Sequence, residues 1–446
     1  MILQDKKILI LGFGITGISA AETLHKKAAK IYVQDFKYDE IISKNPRLTD
    51  LNLTEIKTTE EILKIKPDYC IKSPGIHPNN EFVVAVREAG IPLMSDLELV
   101  YQLYGDRKII AITGTNGKTT TTALVGEIIN SSKHKAHIAG NIGIGMLPVF
   151  ENNRPDDFYI IECSSFQLED TVDFRANIAG IINITPDHLD WHGSYDAYKE
   201  SKLKILKNAD KNDVVVLNYD DKYLKDLNIE TDAKVLYVSK ENEIDGIFVK
   251  DGKIINNEDD SCVMEVKEIP LLGKHNLENV LMAIGICTSA GIDKSTIRNA
   301  VNNFKGVEHR IEFVREVQGT KYYNDSKGTN VDATINALNA FESKIILIAG
   351  GYDKKIEFDE LIENFNNKVK ALVLMGETAE KIKSAALNAG YENIFIVDNM
   401  MSAVKKCQEL SKPGDSVLLS PACASWGMYN NFEERGVDFK NNVKAL

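Results

Sequence analysis

Short apolar runs alternate along the whole chain with longer stretches whose apolar positions fall three and four residues apart. A continuous apolar run bounded by glycine or small polar residues is the mark of a strand buried on both faces. The 3–4 spacing is that of an amphipathic helix. Strand and helix in strict alternation predict parallel, doubly wound sheets. The pattern restarts twice, which divides the chain into three segments.

The first segment opens with KKILILGFGITG, continues through KIYVQD and DYCIKSPG, and closes near Pro92-Leu93. The second holds RKIIAITG, FYIIECSS, NIAGIINIT and DVVVLNYDD. KVLYVS and GIFVKDGKII follow as a small β-rich part, and a helix after GKHNLEN completes it. The third segment follows a helix expected over 294–304 and holds TKYYNDS, KIILIAGG, KALVLMG, NIFIVD and DSVLLSPA. The expected boundaries are 1–95, 96–304 and 305–446.

Composition narrows the class. A 446-residue chain that is 43% hydrophobic and 26% charged has material for several cores. A net charge of −12 argues against a nucleic-acid binder, which needs a basic face. Six scattered cysteines without a CxxC pair fit reduced thiols rather than a disulfide framework. The first residues run almost directly into a strand, without the apolar core of a signal peptide, and no apolar run is long enough for a bilayer. The expectation is a soluble, cytoplasmic protein.

Residues 111–120, AITGTNGKTT, join a buried-type strand to a helix. Gly117, Lys118 and Thr119 end them like a phosphate loop, yet the G-x-x-x-x-G-K-[ST] pattern asks for glycine where Ile112 stands. The strand–loop–helix context suits phosphate binding by backbone N–H groups, with Lys118 on the transferred phosphoryl group and Thr119 or Thr120 reaching Mg²⁺. A solvated lysine in a polar turn is the plain alternative. Glu162 ends the strand FYIIE, where such proteins place a metal-binding acid. His188 follows GIINIT at the carboxyl edge of the sheet. His188 and His192 stand four apart, but without a nearby third soft ligand a zinc pair is less well supported than His188 with oxygen ligands. Lys202 and Lys204 fall in a helix expected over 195–207 and read by default as surface lysines.

GFGITG at 12–17 matches G-x-G-x-x-G, and Asp35 closes the next strand near the offset of a ribose-binding acid. Three readings are open: a dinucleotide site, glycines that only let the turn close, or a helix N-terminus holding another diphosphate such as that of a UDP-sugar. His275, Asn276 and Asn279 suit either a purine or phosphate contact or helix capping. His309 and Arg310 stand at the entry of the third segment. NDSKGTN (324–330) and SPACASWGMYNNFEERG (420–436) are polar loops after strands of one sheet, suited to a small carboxylate ligand.

Taken together, GTNGKTT, IECSSFQLE, TPDHLDWHG, GKHNLEN, EHRIE, NDSKGTN and SPACASWGMYNNFEERG resemble the Mur ligase family over essentially the whole length. The last two strings resemble most closely the members that add D-glutamate to UDP-N-acetylmuramoyl-L-alanine. The resemblance implies an α/β fold with an N-terminal Rossmann-like domain, a central P-loop ATPase-like domain with a parallel sheet, and a C-terminal Rossmann-like domain. It implies an ATP- and Mg²⁺-dependent amide ligase of peptidoglycan precursor synthesis, working through an acyl phosphate as a monomer in the cytoplasm.

Residue by residue, the resemblance gives Gly114, Thr115, Asn116, Gly117 and Lys118 to the ATP phosphates. It gives Thr119, Thr120 and Glu162 to one Mg²⁺, and His188 to a second. Lys202 falls at the carbamylated lysine, with Lys204 as the register alternative. Asn276, Asn279, Arg310 and Asp325 go to ATP. Gly14, Ile15, Thr16 and Gly17 go to the UDP diphosphate, Asp35 to the uracil portion, Ser73 and Gly75 to the sugar nucleotide, and Asn141 to the substrate. Lys327, Thr329, Ser425 and Phe432 go to D-glutamate, as does Lys354, with Lys355 its competitor. Two other functions remain to be set beside this one. A dehydrogenase using GFGITG leaves the second and third segments without a task, and a P-loop switch leaves the third-segment loops without one.

Overall fold

The computed structural model describes residues 3–141, 145–227 and 231–446, the side chain of Lys274 excepted. Among these residues the strands form three sheets. The first has five parallel strands in the spatial order Thr54–Glu55, Lys30–Gln34, Lys7–Leu11, Tyr69–Lys72 and Leu93–Ser95. Its central strand is apolar on both sides because both sides are covered. Ile8 and Ile10 enter one core with Ala20, Ala21 and Leu24 of the helix Ile15–Lys26. Leu9 and Leu11 enter another with Ile62, Phe82, Val83 and Val86.

The second sheet has nine strands. Lys108–Thr113 lies between Ile178–Ile181 and Phe158–Glu162, and Ala136–Gly140 is the edge beyond the latter, all parallel. On the other side come Val214–Asn218, Lys234–Ser239 and Gly246–Lys250, then the antiparallel strands Lys253–Asn256 and Ser261–Glu265. The core begun by Ile8 and Ile10 continues into Ile109, Ala111, Tyr159, Ile161 and Ile181, so the first two sheets share one apolar interior. The third sheet runs Glu312–Val317, Thr320–Asn324, Ser416–Leu419, Ile345–Ala349, Val369–Leu374, Ile394–Ile396, parallel except for its first pair. Ile345 and Leu347 enter one core and Ile346 and Ile348 another, the same two-sided burial.

By contacts the chain divides into two compact units, Met1–Ile269 with Leu277–Asn302, and Pro270–Asn276 with Asn303–Leu446. No helix among the described residues is long and apolar enough to cross a membrane.

Two local differences from the sequence pattern bear on the site. The helix expected over 195–207 ends at Leu203, and Lys204–Leu206 tighten into a 3-10 turn. Such a turn satisfies carbonyls that the end of an α-helix leaves unpaired. Four strands were not apparent in the pattern: Thr54–Glu55, Ala136–Gly140, Ser261–Glu265 and Glu312–Val317. All but the antiparallel Glu312–Val317 and Ser261–Glu265 are parallel, and all four lie at sheet edges.

Candidate active site

The loop after strand Lys108–Thr113 is two residues shorter than the common phosphate-loop pattern. Ile112 is a fully buried strand residue paired with Glu162 and Gly180, so the turn starts only at Gly114. Gly117 then takes φ +84° as the N-cap of the helix Lys118–Asn130. A Cβ there would lie 2.1 Å from Asn279 Oδ1, which makes glycine obligatory on both counts. Asn279, buried, therefore packs beneath the loop, with Thr121 Oγ1 3.5 Å from the same oxygen. Asn116 N–H donates to Asn183 Oδ1 and Thr115 Oγ1 to the Thr185 carbonyl, tying the loop to the next strand end. Lys118 Nζ curls over the turn and donates to the Gly114 and Thr115 carbonyls, both at 2.8 Å. Thr119 and Thr120 occupy the first turn of the helix.

Glu162 ends the neighbouring strand and is 1% exposed. Asn141 Nδ2 donates to its Oε1 at 3.1 Å, while Oε2 is buried without a hydrogen-bond partner among the described residues. A buried, unsatisfied carboxylate oxygen is costly and is the type of donor a divalent cation completes. The three residues after Asn141 lie outside the described residues.

Lys202 is the most unusual group at this edge. Its Nζ, in a side chain 2% exposed, donates to the Gly114 carbonyl at 2.8 Å, with Thr113 Oγ1 at 3.5 Å. It lies 4.8 Å from the centre of the Tyr198 ring, and it makes no ion pair among the described residues. Burial, and then the nearby Lys118 charge, hold its pKa well below the usual lysine value. Lys204 is directed elsewhere, donating to the Glu169 carbonyl.

His188 takes φ +50° and is half-exposed, with Nε2 3.5 Å from Asp187 Oδ2 and its ring 4.9 Å from Phe166. His192 is committed differently. Its Nε2 is 3.0 Å from Ser165 Oγ and its Nδ1 3.5 Å from Ser201 Oγ, and burial lowers its pKa. Both ring nitrogens have hydroxyl partners, so the pair is not arranged for zinc.

In the first segment, Gly17 packs so closely that a Cβ would meet the Gly12 carbonyl at 2.1 Å. Gly14 is the N-cap of the helix that Ile15, Thr16 and Gly17 begin, and Ile15 is exposed. The Asp35 carboxylate accepts the Phe13 N–H at 2.6 Å and the Lys37 N–H at 2.8 Å, bracing the glycine loop. Ser73 Oγ donates to the Gly12 carbonyl, and Gly75 borders open space.

In the second unit, one buried guanidinium organises the loops. Arg435 donates through Nε to Ser326 Oγ, through Nη2 to the Ser326 carbonyl and through Nη1 to the Cys423 carbonyl, at 2.9–3.0 Å. Burial lowers its pKa to about 10. Asp325, buried, accepts from Ser420 Oγ at 2.7 Å and from Ile311 N–H at 3.2 Å; burial raises its pKa to about 6, against the pull of Ser420 and Arg310. Arg310 is exposed beside it in sequence with Ile311. Lys327 Nζ lies 5.8 Å from the Phe432 ring and Lys354 Nζ 5.5 Å from the Trp426 ring. Ser425 is buried, and Thr329 N–H donates to the Lys327 carbonyl. Lys355, at φ +62°, closes an Asp353 turn instead. Asn276 Nδ2 donates to the Leu272 carbonyl.

Family models match three stretches: Mur ligase MurD-like, N-terminal domain over residues 6–95, Mur ligase middle domain over 112–287, and Mur ligase, glutamate ligase domain over 309–423. The chain is 43% identical, over 99% of its length and 98% of the relative's, to a UDP-N-acetylmuramoylalanine--D-glutamate ligase of Lachnoclostridium phytofermentans. The chain belongs to the Mur ligase family. A protein with the same name from Clostridioides difficile is 42% identical with complete coverage of both chains. Among solved structures, the UDP-N-acetylmuramate-alanine ligase of Thermotoga maritima matches with a TM-score of 0.59 at 20% identity over 99% of each chain. MurF from Acinetobacter baumannii gives 0.61 at 15% identity over 84% of this chain and 85% of its own. Both show the fold.

Mur ligases are ATP-dependent and use Mg²⁺. The orphan oxygen of Glu162 fits the cation, and the N-terminus of the helix Lys118–Asn130 fits the phosphates. Sequence reasoning missed Arg435 and Tyr198. The first sits inside FEERG, where an arginine beside two glutamates reads as a surface charge; its burial, with no carboxylate ion pair among the described residues, reveals it.

Proposed function

We propose that the protein is an ATP-dependent ligase that joins D-glutamate to the L-alanyl carboxylate of UDP-N-acetylmuramoyl-L-alanine, in the cytoplasm and as a monomer. The observation that carries this reading is the group of charges around residues 114–120: Lys118 on the loop and, among the described residues, Lys202 buried beneath it without a counter-ion and Glu162 with an unsatisfied oxygen at the next strand end. Full-length likeness to D-glutamate ligases supports the choice of substrates.

In this reading a carboxylate oxygen of the L-alanyl group attacks the γ-phosphorus of ATP, and ADP leaves. The amine of D-glutamate then attacks the acyl carbon, loses a proton, and phosphate departs as the amide forms. The chain supplies alignment and charge neutralisation. The Thr115 and Asn116 N–H groups are committed to Asn183, so the N-terminus of the helix Lys118–Asn130 behind Gly117, with Lys118, receives the phosphates, which draw Lys118 away from its two carbonyls. Mg²⁺, when bound, screens the phosphate charge; Thr119, Thr120 and Glu162 are its protein donors, and His188 that of a second ion. The lowered pKa of Lys202 favours the neutral amine, the form that adds CO₂ and loses a proton to become a carbamate anion. That anion beside Lys118 replaces an unfavourable pair of like charges with an attractive one.

Asn276, Asn279, Arg310 and Asp325 serve ATP, Asn279 by shaping the loop from below. The 14–17 turn holds the UDP diphosphate, Asp35 braces the uracil end, and Ser73, Gly75 and Asn141 border the substrate. Lys327, Thr329, Lys354, Ser425 and Phe432 hold D-glutamate. The domains span 1–95, 96–304 and 305–446.

The test is phosphate release with UDP-N-acetylmuramoyl-L-alanine, ATP and a panel of amino acids. Turnover is expected with D-glutamate alone. Release that ignores the amino acid overturns the ligase reading, and release with another amino acid overturns the choice of substrate.

A further inference from the structure

Lys72 is the last residue of strand Tyr69–Lys72, immediately before the Ser73–Gly75 turn. A lysine at a strand end ordinarily reaches solvent. This one is wholly buried and pairs with Asp170, 5% exposed, at 3.0 Å. Its Nζ also donates to the Ile76 carbonyl at 3.1 Å, closing the 73–76 turn from below. Asp170 caps the helix Ser165–Glu169, which follows Glu162 and Ser164. Arg87 approaches the same carboxylate at 3.4 Å and the Pro78 carbonyl at 3.4 Å.

Aromatic rings continue the connection. Trp191 lies 5.9 Å from Lys72 Nζ and packs edge-on against His77 at 4.8 Å. On its other side it meets Phe166 at 4.5 Å, and Phe166 meets His188 at 4.9 Å. Trp191 Nε1 donates to Glu169. The turn at 73–77 and the loop at 187–192 thus meet through Trp191, while the buried ion pair ties the strand end to the helix Ser165–Glu169 that carries Phe166; of these residues His188 alone has a place in the site described above.

Replacing a buried ion pair by apolar residues is often neutral for stability, whereas such a pair fixes one geometry against alternatives. We infer that Lys72 and Asp170, with Trp191, are positioning residues that lock the nucleotide-sugar turn to the metal-side loop, so that a substrate held by the first presents its carboxylate at the second. The inference rests on the substrate reading proposed above for 73–75, and its test separates the two.

The variants are Lys72→Met/Asp170→Leu, which removes both charges together, and Lys72→Arg, which keeps the cation. Hydrogen exchange without any substrate comes first. In the double variant, amides of 73–78 and of 187–192 are expected to exchange about tenfold faster or more, together, with the wild-type melting temperature retained. Lys72→Arg is expected to restore most of the protection. Steady-state kinetics follow: kcat falls about twentyfold while KM for ATP changes less than about threefold. Unchanged exchange in both loops, loosening of one alone, or kcat within twofold of wild type in the folded double variant overturns the inference. Failure of the wild-type protein to bind UDP-N-acetylmuramoyl-L-alanine overturns the substrate reading instead, and the exchange result still decides the lock.

Discussion

Lys202→Met separates catalytic need from structural need in one substitution. The side chain is buried, hydrogen-bonded among the described residues to neutral oxygens alone, and shares its surroundings with the Lys118 charge. Its folded pKa lies below its unfolded value, so the unfolded chain binds the proton more tightly. The ammonium therefore costs stability at pH below the folded pKa, and the cost fades as pH rises toward the unfolded value near 10.4. Methionine keeps the length and removes the charge. In buffer stripped of CO₂, Lys202→Met should be more stable than wild type by roughly 1–2 kcal/mol near neutral pH, a figure of the size expected for a poorly compensated buried charge. The gain should shrink toward pH 10. Turnover should fall about 10²-fold or more, the usual loss when one charge-stabilising group is removed from an active site. Thermal unfolding at several pH values and phosphate release measure the two effects. With Lys202→Ala, a small carboxylate such as acetate should restore part of the activity. A Lys202→Met protein that is fully active, or less stable than wild type at every pH, would refute the reasoning.

Other substitutions test neighbouring parts. Gly117→Ala forces a Cβ onto Asn279 at φ +84°; KM for ATP should rise about tenfold or more, equivalent to about 1.4 kcal/mol of phosphate binding, read by ATP titration at fixed co-substrates. Arg435→Met leaves the Ser326 and Cys423 carbonyls unpaired and should cost about 2–4 kcal/mol, while KM for D-glutamate rises more than KM for ATP. Asp96 is buried against Gln167, and burial raises its pKa to about 6. A carboxyl with a raised folded pKa loses stability as pH climbs from its unfolded value near 3.9 through 6. Asp96→Asn should flatten that part of the stability-versus-pH curve, and an unchanged slope between pH 4 and 6.5 would rule Asp96 out as its source.

Sequence patterning read best where burial is greatest. Strands such as Lys7–Leu11, after its first residue, and Ile345–Ala349 are apolar throughout because both faces are covered, and their runs stand out. Edge strands did not. Thr54–Glu55 has two residues, and Glu312–Val317 mixes charges with apolar residues because one side of it is open to solvent. At the site, motif spacing indicated which residues gather near the loop but not what each side chain touches. Asp35 resembles a free ribose-binding acid, yet it accepts two backbone N–H groups. Asn279 resembles a ligand contact, yet it fills the space that Gly117 leaves. Lys202 and Lys204 are indistinguishable by composition; the 3-10 turn after Leu203 sends one to the loop and the other to Glu169. Lys72 gave no signal at all, because its partner lies 98 positions away.

The apolar interior shared by the first two sheets carries a consequence for how the protein comes apart. Ile8, Ile10 and Leu24 touch the same core as Ile109, Tyr159 and Ile181, so removing residues 1–95 would leave a wide apolar face in water. Cooperative melting follows the burial of such faces rather than the number of sheets. Calorimetry should therefore resolve at most two transitions from three sheets, one for the first two together and one for the third. Proteolysis should release residues 303–446 as a stable fragment far more readily than it separates residue 95 from residue 96.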